Sequence, residues 1–106
     1  MDLALPAFNA SEPDKLVTDG AVFQAIRVAA DDFLGRDSSE KPCWDRQSSH
    51  VYQTVRQGDV VFVRIDYNPA SCGEKVHPLD SGATYAVDKD GRLLRRLLDG
   101  EPQPPR

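Results

Sequence analysis

Residues 58–67 alternate in a way that predicts the central strand of a sheet. Val61, Val63, Ile65 and Tyr67 fall on one face at the period of two that a strand imposes. The opposite face begins apolar and ends charged, which indicates that one end of this strand meets solvent or a polar loop. No other stretch of the sequence is apolar enough on both faces to lie in the middle of a sheet.

Residues 18–35 instead carry apolar side chains three to four positions apart, which is the spacing of one buried stripe on a helix. Thr18 or Asp19 is placed to accept the first unpaired backbone N–H groups. Gly35 is placed to adopt the left-handed conformation that ends a helix. A stripe that mixes small and large side chains suits a helix lying close against a sheet. The predicted stripe consists of Val22, Phe23, Ile26, Ala29, Ala30, Phe33 and Leu34.

A first hairpin joins the central strand to the stretch before it. Residues 51–56 alternate and precede a turn that contains Gly58, so we expect them to pair with the central strand. A two-residue turn places Tyr52 and Thr54 on the face of Val61. A turn one residue longer reverses the faces, and the sequence leaves this register open.

A second hairpin closes the predicted sheet. Residues 84–87 and 92–98 have the composition of strands, and the Asp-Lys-Asp-Gly turn between them puts Gly91 in the left-handed position. The last strand is predicted to divide into two faces, with Leu94 and Leu98 on one and Leu93, Arg95 and Leu97 on the other.

Together the elements predict an α+β fold, in which one N-terminal amphipathic helix packs on a curved four-stranded antiparallel sheet. Residues 18–99 form this single domain. Residues 1–17 contain two prolines and no sustained periodicity of apolar positions, so they are predicted to be an extended arm. Phe8 either packs on the domain and holds this arm in place, or the arm is loose. Residues 100–106 contain three prolines and are predicted to be a disordered tail.

The composition argues against several classes of function. The chain has 106 residues and a formal net charge of -4, which opposes binding to the phosphates of nucleic acid. No apolar run approaches the roughly 20 residues needed to cross a bilayer. The first residues also lack the basic region and the long apolar stretch of a signal peptide. A mature secreted or periplasmic protein and a cytoplasmic protein both fit these observations.

Cys43 and Cys72 are the only cysteines, and they flank the first hairpin at what we predict to be the same end of the sheet. A disulfide between them is the leading prediction, because closing a loop of about thirty residues stabilises a small domain. It implies an oxidising compartment. A zinc site that adds His50 and His77 is the alternative, although structural zinc usually takes closer pairs of ligands. The third possibility is that both cysteines are free thiols.

Trp44 lies in a polar loop, where an aromatic side chain either covers the edge of the core or contacts a partner, and the covering role is favoured. Basic residues form a second candidate surface, because arginines beside a tyrosine on a sheet often bind protein. The alternative is that arginines on an edge strand only prevent aggregation between sheets. The candidate partner-binding residues are Trp44, Tyr67, Arg92, Arg95 and Arg96, with Arg56 and Arg64 in neighbouring strands.

The sequence contains no recognisable catalytic constellation. Cys72 and His77 are the raw material of a thiol enzyme, but no orienting group or oxyanion site accompanies them. The carboxylates occur at a helix end, in a turn and in the tail, which are ordinary solvated positions. We therefore predict neither catalytic activity nor a cofactor.

The order of the elements, and above all the closing hairpin GATYAVDKDGRLLRRLLDG at residues 82–100, resembles small cystatin-like domains. These include PepSY-type domains and the NTF2-like immunity proteins of bacteria. The resemblance covers residues 21–98 and implies a non-enzymatic domain that binds a protein or peptide.

The resulting expectation is a small exported bacterial domain, immunity-like in character, that binds or inhibits a protein partner. The contact is expected through the loops around Trp44 and Cys72 or through the sheet face. A zinc-stabilised intracellular module is one alternative. An NTF2-like carrier or enzyme with a pocket for a small apolar ligand is the other.

Overall fold

The computed structural model describes residues 3–9, 11, 13–75 and 81–101. Within these ranges one helix packs on a face of an open, four-stranded antiparallel sheet, which confirms the predicted α+β class. The strands lie side by side in their order along the chain. The elements are helix α1 (Gly20–Leu34) and strands β1 (His50–Gln57), β2 (Val60–Tyr67), β3 (Ala83–Asp88) and β4 (Leu93–Leu98).

Strand β2 is central, as predicted, and lies between β1 and β3. Its side chains Val61, Val63 and Ile65 are at most 1% exposed. Thr54 pairs with Val63 and Tyr52 pairs with Ile65, so the turn between β1 and β2 has two residues and the register left open by the sequence is settled. The apolar face of β2 therefore forms the middle of the core.

Helix α1 begins and ends where the sequence indicates. The Asp19 carboxylate accepts a hydrogen bond of 2.9 Å from the backbone N–H of Ala21, which satisfies one of the unpaired donors of the first turn. Gly35 follows the last helical residue with a φ of 71°, a conformation that costs glycine little. Both predicted ends of the helix are confirmed.

Alanines form the most deeply buried part of the contact between α1 and the sheet. Ala25 and Ala29 are completely buried, because small side chains let the helix backbone approach the sheet closely. Phe23 was expected in the buried stripe, but it is 58% exposed, so that part of the prediction is wrong. At roughly 100° per residue, Phe23 lies about 160° around the helix from Ala25 and about 120° from Ala29, so its ring does not face the sheet.

A bulge in the second hairpin changes the faces predicted for β4. The chain turns at Gly91, which has a φ of 85°, as expected. The pairing then shifts register, and Val87 pairs with Leu93. Because the bulge inserts one extra residue, Leu93 lies on the helix side of the sheet with Leu98. The prediction that it shares a face with Arg95 is wrong.

Charged side chains interact on the open face of the sheet. The guanidinium of Arg64 donates to both carboxylate oxygens of Asp99, at 2.6 and 2.7 Å, and to Asp66 at 2.7 Å. Asp99 also accepts a hydrogen bond of 3.1 Å from the backbone N–H of Gly82. The hydrogen bonds from Arg64 hold the pKa of Asp99 below its ordinary value. This network joins β2 to the residues that precede β3 and follow β4.

The described residues before α1 contain neither helix nor strand. Phe8 is 79% exposed, so it does not pin this arm to the domain. The predicted disordered tail falls mainly on residues 102–106, which lie outside the described residues. In the part of the chain that the structure covers, no helix is both long and apolar enough to cross a membrane.

The position of Gly82 leaves no space for a side chain. A Cβ atom there would lie 2.6 Å from the carbonyl oxygen of Ile65 and 2.8 Å from a carboxylate oxygen of Asp66, distances that real contacts do not show. We expect Gly82→Ala to lower the free energy of unfolding by about 1–3 kcal/mol, as other overpacked variants do. Urea denaturation measures the change.

Gly20→Ala is the matched control for this prediction. A Cβ atom at Gly20 meets no atom within 4 Å, and alanine restricts the unfolded chain more than glycine does. We expect this variant to be as stable as the wild type or slightly more stable. If Gly82→Ala is as stable as Gly20→Ala, the close packing at Gly82 is contradicted.

Candidate functional site

A disulfide joins the two loops that flank the first hairpin. Cys43 begins the short 3-10 turn Cys43–Asp45, and Cys72 ends the turn Pro69–Cys72. Their sulfur atoms are 2.04 Å apart and their Cα atoms 5.9 Å apart, which is the predicted pairing. The hydroxyl of the buried Ser49 lies 3.4 Å from each sulfur. Because a disulfide has no S–H group, this hydroxyl is the donor.

Hydrogen bonds hold the loop between α1 and β1 against the end of the helix. The side-chain amide of Gln47 donates to the carboxylate of Asp31 at 2.8 Å and to the carbonyl of Gly35 at 2.7 Å. The guanidinium of Arg46 donates to the carbonyl of Lys41 at 2.9 Å. The loop is irregular, as predicted, but the disulfide is anchored through it to the helix as well as to the sheet.

A groove of about 730 Å³ opens at this end of the sheet, and we call it the Trp44 groove. The last turn of α1, the adjoining ends of β1 and β2, and the two disulfide-linked loops surround it. Its described lining combines aromatic and aliphatic side chains with two carboxylates. The lining includes Phe33, Trp44, Asp45, His50, Tyr67 and Glu74.

His50 is the middle member of a row of three aromatic rings in this lining. Its ring centre is 6.3 Å from that of Phe33 and 5.7 Å from that of Tyr67. Its Nδ1 lies 2.7 Å from the carbonyl oxygen of Arg46, and it is the donor because a carbonyl only accepts. In the neutral ring, Nε2 then carries no proton and is an acceptor.

Tyr67 ends β2 and is 7% exposed. Its hydroxyl donates a hydrogen bond of 2.6 Å to Oε1 of Glu74, and this bond to a carboxylate raises the pKa of Tyr67 to about 12. The bond fixes the position of the Glu74 side chain.

Trp44 forms an outer wall of the groove and is 63% exposed. The favoured expectation that it covers the edge of the core is therefore wrong. The turn that carries it packs on the turn Pro69–Cys72. The indole lines the groove and leaves most of its surface open to solvent.

The three arginines near the end of the chain do not form a single surface. Arg95 lies on the open face of the sheet and Arg96 on the helix face, because neighbouring residues of a strand point to opposite sides. Arg96 forms an ion pair with Asp32 at 3.0 Å. Arg92 lies in the turn, 3.7 Å from a carboxylate oxygen of Asp88. The structure therefore separates these candidates from one another.

The zinc alternative requires both sulfurs as thiolates, whereas here the sulfurs of Cys43 and Cys72 are bonded to each other. Of the other two ligands of that alternative, His50 lines the groove and His77 lies outside the described residues. Among residues 3–9, 11, 13–75 and 81–101, no group of three or more histidine, cysteine or acidic side chains is placed to hold a metal ion.

Several groove residues had no distinguishing signal in the sequence. Asp45 and Glu74 are isolated carboxylates in loops, and Phe33 fits the helix stripe equally well as a core residue. The one indication was the predicted disulfide, because it places the residues after Cys43 beside those after Cys72.

We compared the chain with protein-family models, with curated proteins and with solved structures, and none of the three comparisons found a match. The resemblance to cystatin-like domains stays an expectation. What the Trp44 groove binds must therefore be inferred from its own side chains.

Removing the disulfide is expected to destabilise the fold. For the sequence separation of 29 between Cys43 and Cys72, the chain-entropy relation gives roughly 3 to 4 kcal/mol. We expect the double variant Cys43→Ala, Cys72→Ala to lose about this much unfolding free energy, measured with guanidinium chloride. Reduced wild type is the control and should unfold like the variant. A variant as stable as the oxidised protein would contradict this role.

Glu74→Gln is expected to lower the pKa of Tyr67 from about 12 toward the ordinary tyrosine value of 10.0, because a neutral amide replaces the carboxylate. Since the folded pKa is raised, the bond stabilises the fold below about pH 10, and this stability is lost as pH rises through about 12. NMR titration of the tyrosine rings measures the shift. Tyr52, whose pKa is raised to about 12 by burial, is the control and should not change. An unchanged Tyr67 is the contrary result.

Proposed function

We propose that this chain is a small non-catalytic binding or inhibitory domain that recognises a protein partner through the Trp44 groove. The observation that carries the proposal is a tryptophan that is 63% exposed beside a groove of about 730 Å³. Tryptophan brings a large apolar area together with one hydrogen-bond donor. For this reason it is enriched at protein interfaces and among the residues that dominate their binding energy.

The groove also has its shape before any partner arrives. The Cys43–Cys72 disulfide fixes two of its walls, and the bond from Tyr67 to Glu74 fixes a carboxylate beside them. A preformed surface loses less conformational entropy on binding than a mobile loop does. Rigidity of this kind supports a recognition role for the groove.

The proposed protein is exported, either secreted or periplasmic, and immunity-like. The disulfide supports an oxidising compartment, because thiols of cytoplasmic proteins are normally kept reduced. The resemblance of residues 21–98 to cystatin-like domains, which include bacterial immunity proteins, supports the inhibitory role. Both features are consistent with a domain that meets its partner outside the cytoplasm.

A carrier of a small apolar ligand is the second candidate. The volume of the groove falls within the roughly 300–1,000 Å³ typical of ligand pockets. However, side chains such as Ala29, Ile65 and Tyr85 fill the space between α1 and the sheet. A ligand would therefore lie at the open end of the domain, beside the exposed Trp44, and this exposure favours a protein partner.

Comparison of the wild type with Trp44→Ala tests the proposal. Secreted and periplasmic proteins of the source are passed over each immobilised protein, and a retained partner is then purified and titrated against both. We expect Trp44→Ala to weaken the affinity at least about tenfold, as removal of a central interface tryptophan does.

Phe23→Ala is the matched control variant. Phe23 is 58% exposed, which is close to the value for Trp44, but it lies on α1 outside the groove. We expect this variant to bind the partner as tightly as the wild type. The proposal is wrong if the partner binds all three proteins alike, or if the wild type retains no protein.

A further inference from the structure

We infer that the Trp44 groove receives an arginine side chain of the protein partner. The inference rests on the proposed function, because it specifies what the partner presents to that groove. It follows from the juxtaposition of one exposed indole, Trp44, with two carboxylates, Asp45 and Glu74, in the described lining.

The charge of the groove sets the first requirement on the partner. The described lining contains Asp45 and Glu74 but neither lysine nor arginine. Both carboxylates are exposed, so a partner that covers the groove removes water from them. A carboxylate that loses water without gaining a cation is strongly penalised. The group that enters the groove therefore carries a positive charge.

In the described lining of the groove, no lysine or arginine of this chain supplies the positive charge. Lys41 donates to the carbonyl of Leu34, and Arg46 donates to the carbonyl of Lys41 at 2.9 Å, so both are engaged in holding the loop. Lys75 follows Glu74 in the sequence but does not line the groove. Among the described residues, neither Asp45 nor Glu74 forms an ion pair with a lysine or arginine of the chain.

The aromatic wall distinguishes among cations. A guanidinium is planar, so it stacks on an indole while its N–H groups point outward to carboxylates, whereas an ammonium is a compact point charge. Two parallel hydrogen bonds to one carboxylate add strength and orientation. Asp45 directly follows Trp44 in the same turn, so it is the carboxylate nearest in the chain to the stacking surface. Arginine is the side chain that uses both features.

The disulfide holds these groups as one unit. Trp44 and Asp45 follow Cys43, and Glu74 lies two residues after Cys72, whose Cα atom is 5.9 Å from that of Cys43. The hydrogen bond from the Tyr67 hydroxyl to Oε1 of Glu74 orients that carboxylate. The groove thus presents its aromatic wall and its carboxylates before the partner arrives, which lowers the cost of binding.

Fluorescence titration of the oxidised, full-length protein tests the inference, because Trp44 is the only tryptophan of the chain. The probes are acetyl-Gly-Arg-Gly-amide and the same tripeptide with citrulline, which keeps the shape of arginine without its charge. We expect the arginine peptide to change the emission of Trp44 and to bind at least about tenfold more tightly than the citrulline peptide. Asp45→Asn and Glu74→Gln should each weaken its binding about two- to fivefold.

Asp59→Asn is the matched control, since Asp59 is exposed in the turn between β1 and β2, at the other end of the sheet. It removes the same charge without touching the groove, and we expect it to leave binding unchanged. Equal binding of the two peptides, or an equal effect of all three variants, overturns the inference. This failure is distinct from failure of the proposed function, in which partner binding no longer depends on Trp44.

Discussion

One covalent bond determines where the candidate site lies. The disulfide between Cys43 and Cys72 joins two irregular loops at the end of the sheet where the pairing of β1 with β2 stops. Among the described residues, one backbone hydrogen bond joins the two loops directly, at 2.8 Å from the N–H of Asn68 to the carbonyl of Ser49. Ordering such loops costs conformational entropy. The disulfide reduces this cost by restricting the unfolded chain, and the Trp44 groove is the result.

The core is formed mainly by apolar side chains of α1, β2 and β3. Ala25 and Ala29 of α1 lie against the buried face of β2 and β3, and burial of apolar area there stabilises the fold. The helix covers one face of the sheet, and its last turn brings Phe33 to within a ring contact of His50. The same helix therefore completes the core along most of its length and supplies one wall of the groove at its end.

Features that depend on local pattern were predictable from the sequence. The alternation in β2 and the cap at Asp19 each follow from a few neighbouring residues, and the structure confirms them. Features that depend on packing between elements were not. The exposure of Phe23 reflects which side of α1 meets the sheet. The bulge that moves Leu93 to the helix face arises from pairing between β3 and β4. The position of Trp44 depends on where a bond between distant residues places its turn.

The most direct test of the central claim is a peptide map of protein isolated from its native compartment without reductant. Trypsin releases Cys43 within residues 37–46, because the bond before a proline resists cleavage, and Cys72 within residues 65–75. If the disulfide shapes the site, the two peptides appear in the mass spectrum as one linked species that separates on reduction. Two unlinked peptides whose cysteines react with an alkylating reagent would contradict it.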